Sequence, residues 1–252
     1  MTADERPWRV EQTCFNAFPS LQQVLFEGWL MRFSGGLSRR ANSVNPLGPG
    51  CSRIAAAIAA AEALYRAQGL PTIFRVPSLV DPALDRELAS RGYTSEGESC
   101  VLYGAMGGLA AAADPAVRLS ASPDAEFLAA MATLQGHSAT QSAIYRGILG
   151  AIAIPARFAL LAVDGAPAAL GYGALHDGLL CYESVITDQG HRRQGLARRV
   201  LGSLAAWARD TGATGACLQV EAANAPALAL YVGFGLGELY RYHYRRAPQH
   251  AG

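Results

Sequence analysis

Apolar positions in the second half of the chain recur with two different periods. Phe158–Val163 and Ala169–Leu175 are short apolar runs on either side of Asp164-Gly-Ala-Pro167, a turn signal, and together they predict a strand hairpin. Leu179–Thr187 is a third apolar, partly β-branched run. After the polar stretch Asp188–Gln194, the residues Leu196, Val200, Leu204 and Trp207 fall at i, i+4, i+8 and i+11, the spacing of one helix face, and that helix is expected to end near Gly212. Ala216–Glu221 then predicts a strand, Pro226–Val232 a short helix stopped by Gly233, and Leu239–Arg245 a final strand. The order ββ-β-α-β-α-β predicts an α/β or α+β layered fold with a mixed central sheet flanked by helices.

The first half echoes this tail more weakly. Gly28–Ser34 and Ser38–Val44 suggest a hairpin around Gly35-Gly36, Arg53–Gln68 a helix, Thr72–Val76 a strand, Pro82–Ser90 a helix closed by Gly92, and Cys100–Ala105 another strand. Leu88-Ala-Ser-Arg-Gly-Tyr93 parallels Leu230-Tyr-Val-Gly-Phe234, since each closes a short helix with Gly and an aromatic. A duplicated fold is the expectation. The small-residue stretch Gly107–Pro115 lacks amphipathic period and ends in a turn signal. The expected domains are therefore 1–108 and 118–247, with 109–117 as linker.

Composition narrows the function classes. Of 252 residues, 51% are hydrophobic and 16% charged, enough apolar material for a substantial core. All 21 basic residues are Arg, set against 20 acidic ones, so a net charge of +1 gives no overall field for nucleic acid or an acidic membrane. The five cysteines, Cys14, Cys51, Cys100, Cys181 and Cys217, include no CxxC pair and no His at ligand spacing, so reduced thiols and no metal are expected. MTADERPWRV lacks the basic start and apolar run of a signal peptide, and no apolar stretch reaches membrane-spanning length. A cytoplasmic location is the corresponding expectation.

The strongest chemical signal is Arg192-Arg193-Gln194-Gly195-Leu196-Ala197, between a predicted strand and an amphipathic helix. A helix N-terminus leaves backbone N–H groups unpaired and carries partial positive charge, and Gly permits close approach of an anion such as a diphosphate. No Gly-Lys-Ser/Thr follows, so this is not a P-loop, and GxGxxG is missing too. The segment resembles the Arg/Gln-x-x-Gly-x-Gly/Ala signature of the GNAT superfamily of N-acetyltransferases, with Arg192, Gly195 and Ala197 in the defined positions. Asn224-Ala-Pro-Ala-Leu-Ala-Leu-Tyr231-Val-Gly-Phe234 is similar to the family's Asn-x-x-Ala-x-x-Leu-Tyr-x-x-x-Gly-Phe segment; this copy is shorter between Tyr231 and Gly233, which leaves the helix end open.

The resemblance covers roughly the last half of the chain and implies acetyl-CoA as co-substrate. It places the pyrophosphate on the amides of Arg192, Arg193, Gln194, Gly195, Leu196, Ala197 and Arg198, and the pantetheine arm along Val185, Ile186 and Thr187. It gives Asn224 a contact on the CoA side, although an Asn before Pro226 also reads as a helix cap. Tyr231 takes the place of the tyrosine that often protonates the departing thiolate, with packing of one helix face as the other reading. Strand alternation points Glu183, Val185 and Thr187 to one face, making Glu183 a candidate base or amine-binding group, or else one half of an ion pair. His191, beside the loop, reads as a solvated loop residue, with phosphate binding or proton transfer as the other possibility. His176 reads as part of a turn, and His137, His243 and His250 form no visible set.

The corresponding first-half loop, Asn45–Arg53, contains Pro46 and Pro49, which lack N–H groups, so one cofactor site per chain is expected and the first half reads as a degenerate copy. Arg32, Arg39 and Arg40 read as a solvated hairpin, with acceptor contacts as the other possibility. The implied activity is acyl transfer from acetyl-CoA to a primary amine on a small molecule or peptide N-terminus, by direct attack in a ternary complex. A non-catalytic acyl-CoA sensor is the competing reading. Monomer and homodimer are both compatible with the sequence.

Overall fold

The computed structural model describes residues 5–50 and 53–248. Cys51, Ser52 and His250 lie outside the described residues. In chain order the elements are α1 (Arg6–Ala17), β1 (Gln22–Phe26), β2 (Trp29–Phe33), β3 (Val44–Pro46), α2 (Ile54–Ala67), β4 (Ile73–Pro77), α3 (Pro82–Ser90), β5 (Thr94–Ala105), β6 (Val117–Ser120), α4 (Ala125–Gln135), α5 (Ala139–Gly150), β7 (Ala156–Val163), β8 (Ala166–His176), β9 (Leu179–Thr187), α6 (Leu196–Asp210), β10 (Gly215–Glu221), α7 (Ala225–Phe234) and β11 (Gly237–Arg246). The order β3-α2-β4-α3-β5 repeats as β9-α6-β10-α7-β11, the pattern of a duplicated mixed α/β fold.

Two compact units result. One holds the described residues up to Pro19 with Leu102–Val220 and Asn224–Glu238; the other holds the described residues of Ser20–Val101, Glu221–Ala223 and those from Leu239. Chain order and compactness therefore diverge from the sequence boundaries 1–108, 109–117 and 118–247 at both ends. Val10, Cys14 and Ala17 form a buried stripe on α1, and that helix packs on β8 and β9. Tyr242–Arg246 of β11 pairs antiparallel with Pro77–Ile73 of β4.

In the first unit the strand order is β10-β9-β8-β7-β6. The turn Asp164-Gly165 has positive φ at both residues, which suits the tight β7–β8 hairpin. One face of this sheet carries α1, α4 and α5. Tyr172 donates its hydroxyl to the Ala17 carbonyl at 3.0 Å, and Phe158 lies between Tyr172 and Phe127 of α4. Asp124 caps α4 by accepting from Phe127 N–H, and Ser138 with Gln141 closes a capping box on α5. The opposite face carries α6, where Tyr182 donates to the Leu201 carbonyl at 3.3 Å. Leu196, Val200, Leu201 and Leu204 are all buried, each contributing about 1.5–3 kcal/mol of apolar burial.

In the second unit the order β1-β2-β3-β4-β11 carries a core of Trp29, Phe74 and Tyr93 in edge-to-face contact. Here the hairpin lies elsewhere than expected. Glu27 and Gly28, both at positive φ, turn β1 into β2, while residues 39–41 form a 3-10 turn instead of strand. β1 was missed because its side chains are mostly exposed and carry no clear alternation. The expectation of a solvated hairpin is also corrected: Arg32 is buried, donates to the Arg40 carbonyl, and has its pKa pushed down to about 10 by burial and by Arg40. Arg39 pairs with Glu96 and Glu221.

Candidate active site

The site begins with a fault in β9. Tyr172 pairs with Glu183 and Leu170 with Ile186, so Ser184 and Val185 together face Gly171. Ser184 takes φ +52°, and its hydroxyl lies 2.7 Å from the Tyr145 hydroxyl of α5. This is a β-bulge, and it lies close against Gly171, whose added Cβ would stand 3.2 Å from Val185 Cγ2 and press on it. The bulge overturns the simple alternation predicted for Glu183, Val185 and Thr187. Register puts Glu183 and Ile186 on the face of Tyr172 and Leu170, with Val185 and Thr187 on the other. Cross-strand partners share a face, so the extra residue shifts the phase by one.

A second irregularity opens the sheet. Parallel pairing between β10 and β9 runs from Gly215↔Leu179 to Cys217↔Cys181 and stops there, although β9 continues to Thr187 and β10 to Glu221. Past Cys181 the two strands part, leaving the β9 edge facing a cleft.

The mouth of this cleft is the start of α6. Gly195 is its N-cap at φ +78°, and Arg193 two residues earlier is also left-handed at +62°. No side chain caps the helix, and the first intrahelical bond runs from Arg199 N–H to the Gly195 carbonyl. The amides of Leu196, Ala197 and Arg198 thus precede the hydrogen-bonded ladder, and no acidic residue occupies the first turn. Unpaired amides and the helix dipole at such a terminus favour an anion. Arg192 and Arg193 are exposed beside it. Asp188 accepts from Gly190 N–H and lies 2.9 Å from His191 Nδ1, and this contact with His191 holds the Asp188 carboxyl below its usual range.

The other wall is α7. Asn224 Oδ1 accepts from Ala227 N–H at 3.2 Å, with Pro226 in the first turn, so the capping role expected for Asn224 is present. The predicted stop at Gly233 is corrected. The helix runs to Phe234, and Gly235, at φ +109°, is its left-handed C-cap. Counted to Gly235, the spacing from Tyr231 is Tyr-x-x-x-Gly with Leu236 following, so the full spacing of the motif is restored. Arg198 donates to the Gly233 carbonyl at 2.9 Å and tethers the start of α6 to the end of α7.

These elements enclose about 510 Å³. Val185, Ile186 and Thr187 form one side, Arg192, Arg193, Gly195, Leu196, Ala197 and Arg198 the mouth, and Asn224 and Tyr231 the α7 wall. Two predicted residues lie off this surface. Gln194 points along the loop to the Gly190 carbonyl at 3.4 Å, and Glu183 is only 3% exposed, on the sheet face covered by α1. His191, Pro226, Ala227 and Leu230 also line the cleft. Ala227 and Leu230 could have been assigned to it from their place in the α7 motif. Cys14, Cys181 and Cys217, far apart in sequence, converge below the cleft, which no local spacing could announce.

A separate pocket of about 400 Å³ in the second unit holds Asp85, Glu98, Arg241 and His243. Its charges satisfy one another: Asp85 binds Arg245 and His243 at 2.8 and 2.7 Å, and Glu98 binds Arg241 at 2.9 Å. It has no helix-terminal amide cradle comparable to that of α6, because Asp81 caps α3.

The bulged strand, the parallel pair that parts at its end and the uncapped helix opening on the gap sit in a fold shared with solved GCN5-related N-acetyltransferases. Within that class, residues 2–244 match the family model described as "Probable histone acetyltransferase Rv0428c C-terminal", and the chain belongs to this family. It is 24% identical over 244 residues to the uncharacterized N-acetyltransferase YobR of Bacillus subtilis, covering 94% of this chain and 97% of that one. Among solved structures, a GCN5-related N-acetyltransferase from Kribbella flavida superposes with a TM-score of 0.69 at 18% identity, covering 98% of this chain and 96% of that one. A tandem GNAT protein from the clavulanic acid biosynthesis pathway gives 0.63 at 14% identity, over 78% and 70%. Among the described residues no helix is long and apolar enough to cross a membrane.

Proposed function

We propose that this N-acetyltransferase-family chain transfers an acetyl group from acetyl-CoA to a primary amine within the cleft of the first unit. One observation carries the reading: the residues singled out by two separate sequence motifs, around Gly195 and around Tyr231, line one cleft whose mouth is an uncapped helix terminus. The loop amides and the Arg192 and Arg193 guanidinium groups would hold the diphosphate. The parted edge of β9 offers backbone groups to the amides of the pantetheine arm, as a strand edge does to any extended chain. Tyr231, 8% exposed and on the cleft wall, would deliver its hydroxyl proton to the thiolate as the C–S bond breaks and the amine nitrogen bonds the carbonyl carbon. The surplus proton of the amine passes to water, and the Tyr231 phenolate regains a proton from water.

Glu183 sits on the opposite sheet face from Val185 and Thr187, so a base role would act through intervening water; its burial favours an internal structural charge. The first unit holds the single cofactor site, and the second is a degenerate copy whose Pro46 and Pro49 deprive its loop of amides. The acceptor is a primary amine of a small molecule or a peptide N-terminus, and the family's description favours a protein acceptor.

The test is thiol release from acetyl-CoA across a panel of amines and peptides. Tyr231→Phe should lower kcat about a hundredfold, a typical general-acid contribution, while acetyl-CoA affinity stays within about twofold. Absence of turnover with every amine, alongside tight acetyl-CoA binding, would support a sensor and defeat the enzymatic reading.

A further inference from the structure

Three cysteines from three elements meet inside the first unit: Cys14 on α1, Cys181 on β9 and Cys217 on β10. All three are buried, and their sulfur atoms lie within 4.8 Å of one another. The Cys14 and Cys181 sulfurs are 3.8 Å apart, and Glu183 Oε1 lies 3.7 Å from the Cys181 sulfur. A tetrahedral zinc with Zn–S bonds of about 2.3 Å spaces its sulfur ligands about 3.8 Å apart, and a carboxylate oxygen about 3.5 Å from a sulfur. We infer that Cys14, Cys181 and Cys217 form a three-thiolate site for Zn²⁺, with Glu183, whose carboxylate lies beside the Cys181 sulfur alone, shifting in as the fourth ligand.

Position in the fold gives the site a purpose. Cys181 and Cys217 are the last paired residues before β9 and β10 part, so an ion held there fixes the apex of the cleft. Its third thiolate comes from α1, which has no side-chain N-cap. The ion ties that helix to the apex much as a zinc staples a small domain. Three thiolates and one carboxylate carry the same charge as the common four-cysteine zinc site. Sequence spacing misses it because the ligands are separated by more than 160 residues and then by 36.

Cobalt substitution tests the site without relying on activity. The reduced, full-length chain is unfolded in denaturant, refolded with increasing Co²⁺, and read for the near-ultraviolet thiolate-to-cobalt charge-transfer band and the visible bands of a tetrahedral ion. The expected result is saturation at one equivalent, displacement by Zn²⁺, and binding weaker by about tenfold or more in Cys14→Ala and Cys217→Ala, with Cys100→Ala unchanged. Alkylation mapped by peptide mass serves where a variant fails to fold: Zn²⁺ should protect Cys14, Cys181 and Cys217 in the unaltered chain and leave Cys100 labelling as it was. Absence of a charge-transfer band in the unaltered protein, bands that persist in the folded cluster variants, or labelling of the three cysteines that Zn²⁺ does not change would each overturn the inference.

Discussion

Replacing Gly235 and Gly233 separately by alanine should move stability in opposite directions, although the two glycines stand two residues apart. Gly233 is an interior position of α7, exposed, with no atom within 4 Å of an added Cβ. Alanine there removes the conformational cost of glycine in a helix and should stabilise by about 0.5–1 kcal/mol. Gly235 is the left-handed cap at φ +109°, and its Cβ would stand 2.4 Å from the Gly108 carbonyl oxygen, a contact with backbone that no rotamer relieves. A left-handed non-glycine residue costs about 1–2 kcal/mol, and forcing the Gly108 segment aside adds a similar amount, for a total near 3 kcal/mol. At about 2–4 °C per kcal/mol for a chain of this size, circular dichroism melts should show Gly235→Ala lowering Tm by about 6–12 °C and Gly233→Ala raising it by about 1–4 °C. If Gly233→Ala proved the more damaging, the helix would end where the sequence alone placed its stop, and the restored motif spacing would be wrong.

Two further outcomes follow from local geometry. Asn224→Ala should destabilise by about 1 kcal/mol by removing the α7 cap, and Asn224→Asp should recover most of it in urea titrations, since Asp caps as well as Asn. The Asp85 carboxyl is held below its usual range, first by the hydrogen bond from Arg245 and further by His243, with burial opposing. Its folded pKa therefore lies below its unfolded value, so its contribution is present above about pH 4 and is lost as pH falls through the folded value. The Tm gap between the unaltered protein and Asp85→Asn should be widest near neutrality and shrink in acid; a gap that widens below that pH would contradict the assignment.

Long periodic segments were legible in the sequence. The α6 stripe and the strand Leu179–Thr187 appear with the expected bounds or within two residues of them, because burial of one face writes its period directly into the residues. The loop before α6 and the start of that helix were legible for the same reason, since Gly195 and the helix after it are local features. What escaped was set by contacts between distant residues. The bulge at Ser184 lies against Gly171 and Tyr145, and nothing in Glu183-Ser-Val-Ile-Thr187 announces it, so the face assigned to Glu183 failed. The exchange of α1 and of the end of β11 between units follows from which sheet each can cover or extend, a choice invisible to local period. The end of α7 was misread because Gly233 and Gly235 are both plausible stops, and only the left-handed φ of the second decides.

The central claim, that the cleft at Gly195 holds acetyl-CoA, is met most directly by calorimetric titration of the purified protein with acetyl-CoA beside Gly195→Glu. That variant forces a side chain onto a residue at φ +78° and puts a carboxylate among the loop amides. Saturable binding at one site per chain, abolished in a Gly195→Glu protein that still melts cooperatively, is the predicted result. No binding by the unaltered protein, or equal binding by the variant, would contradict it.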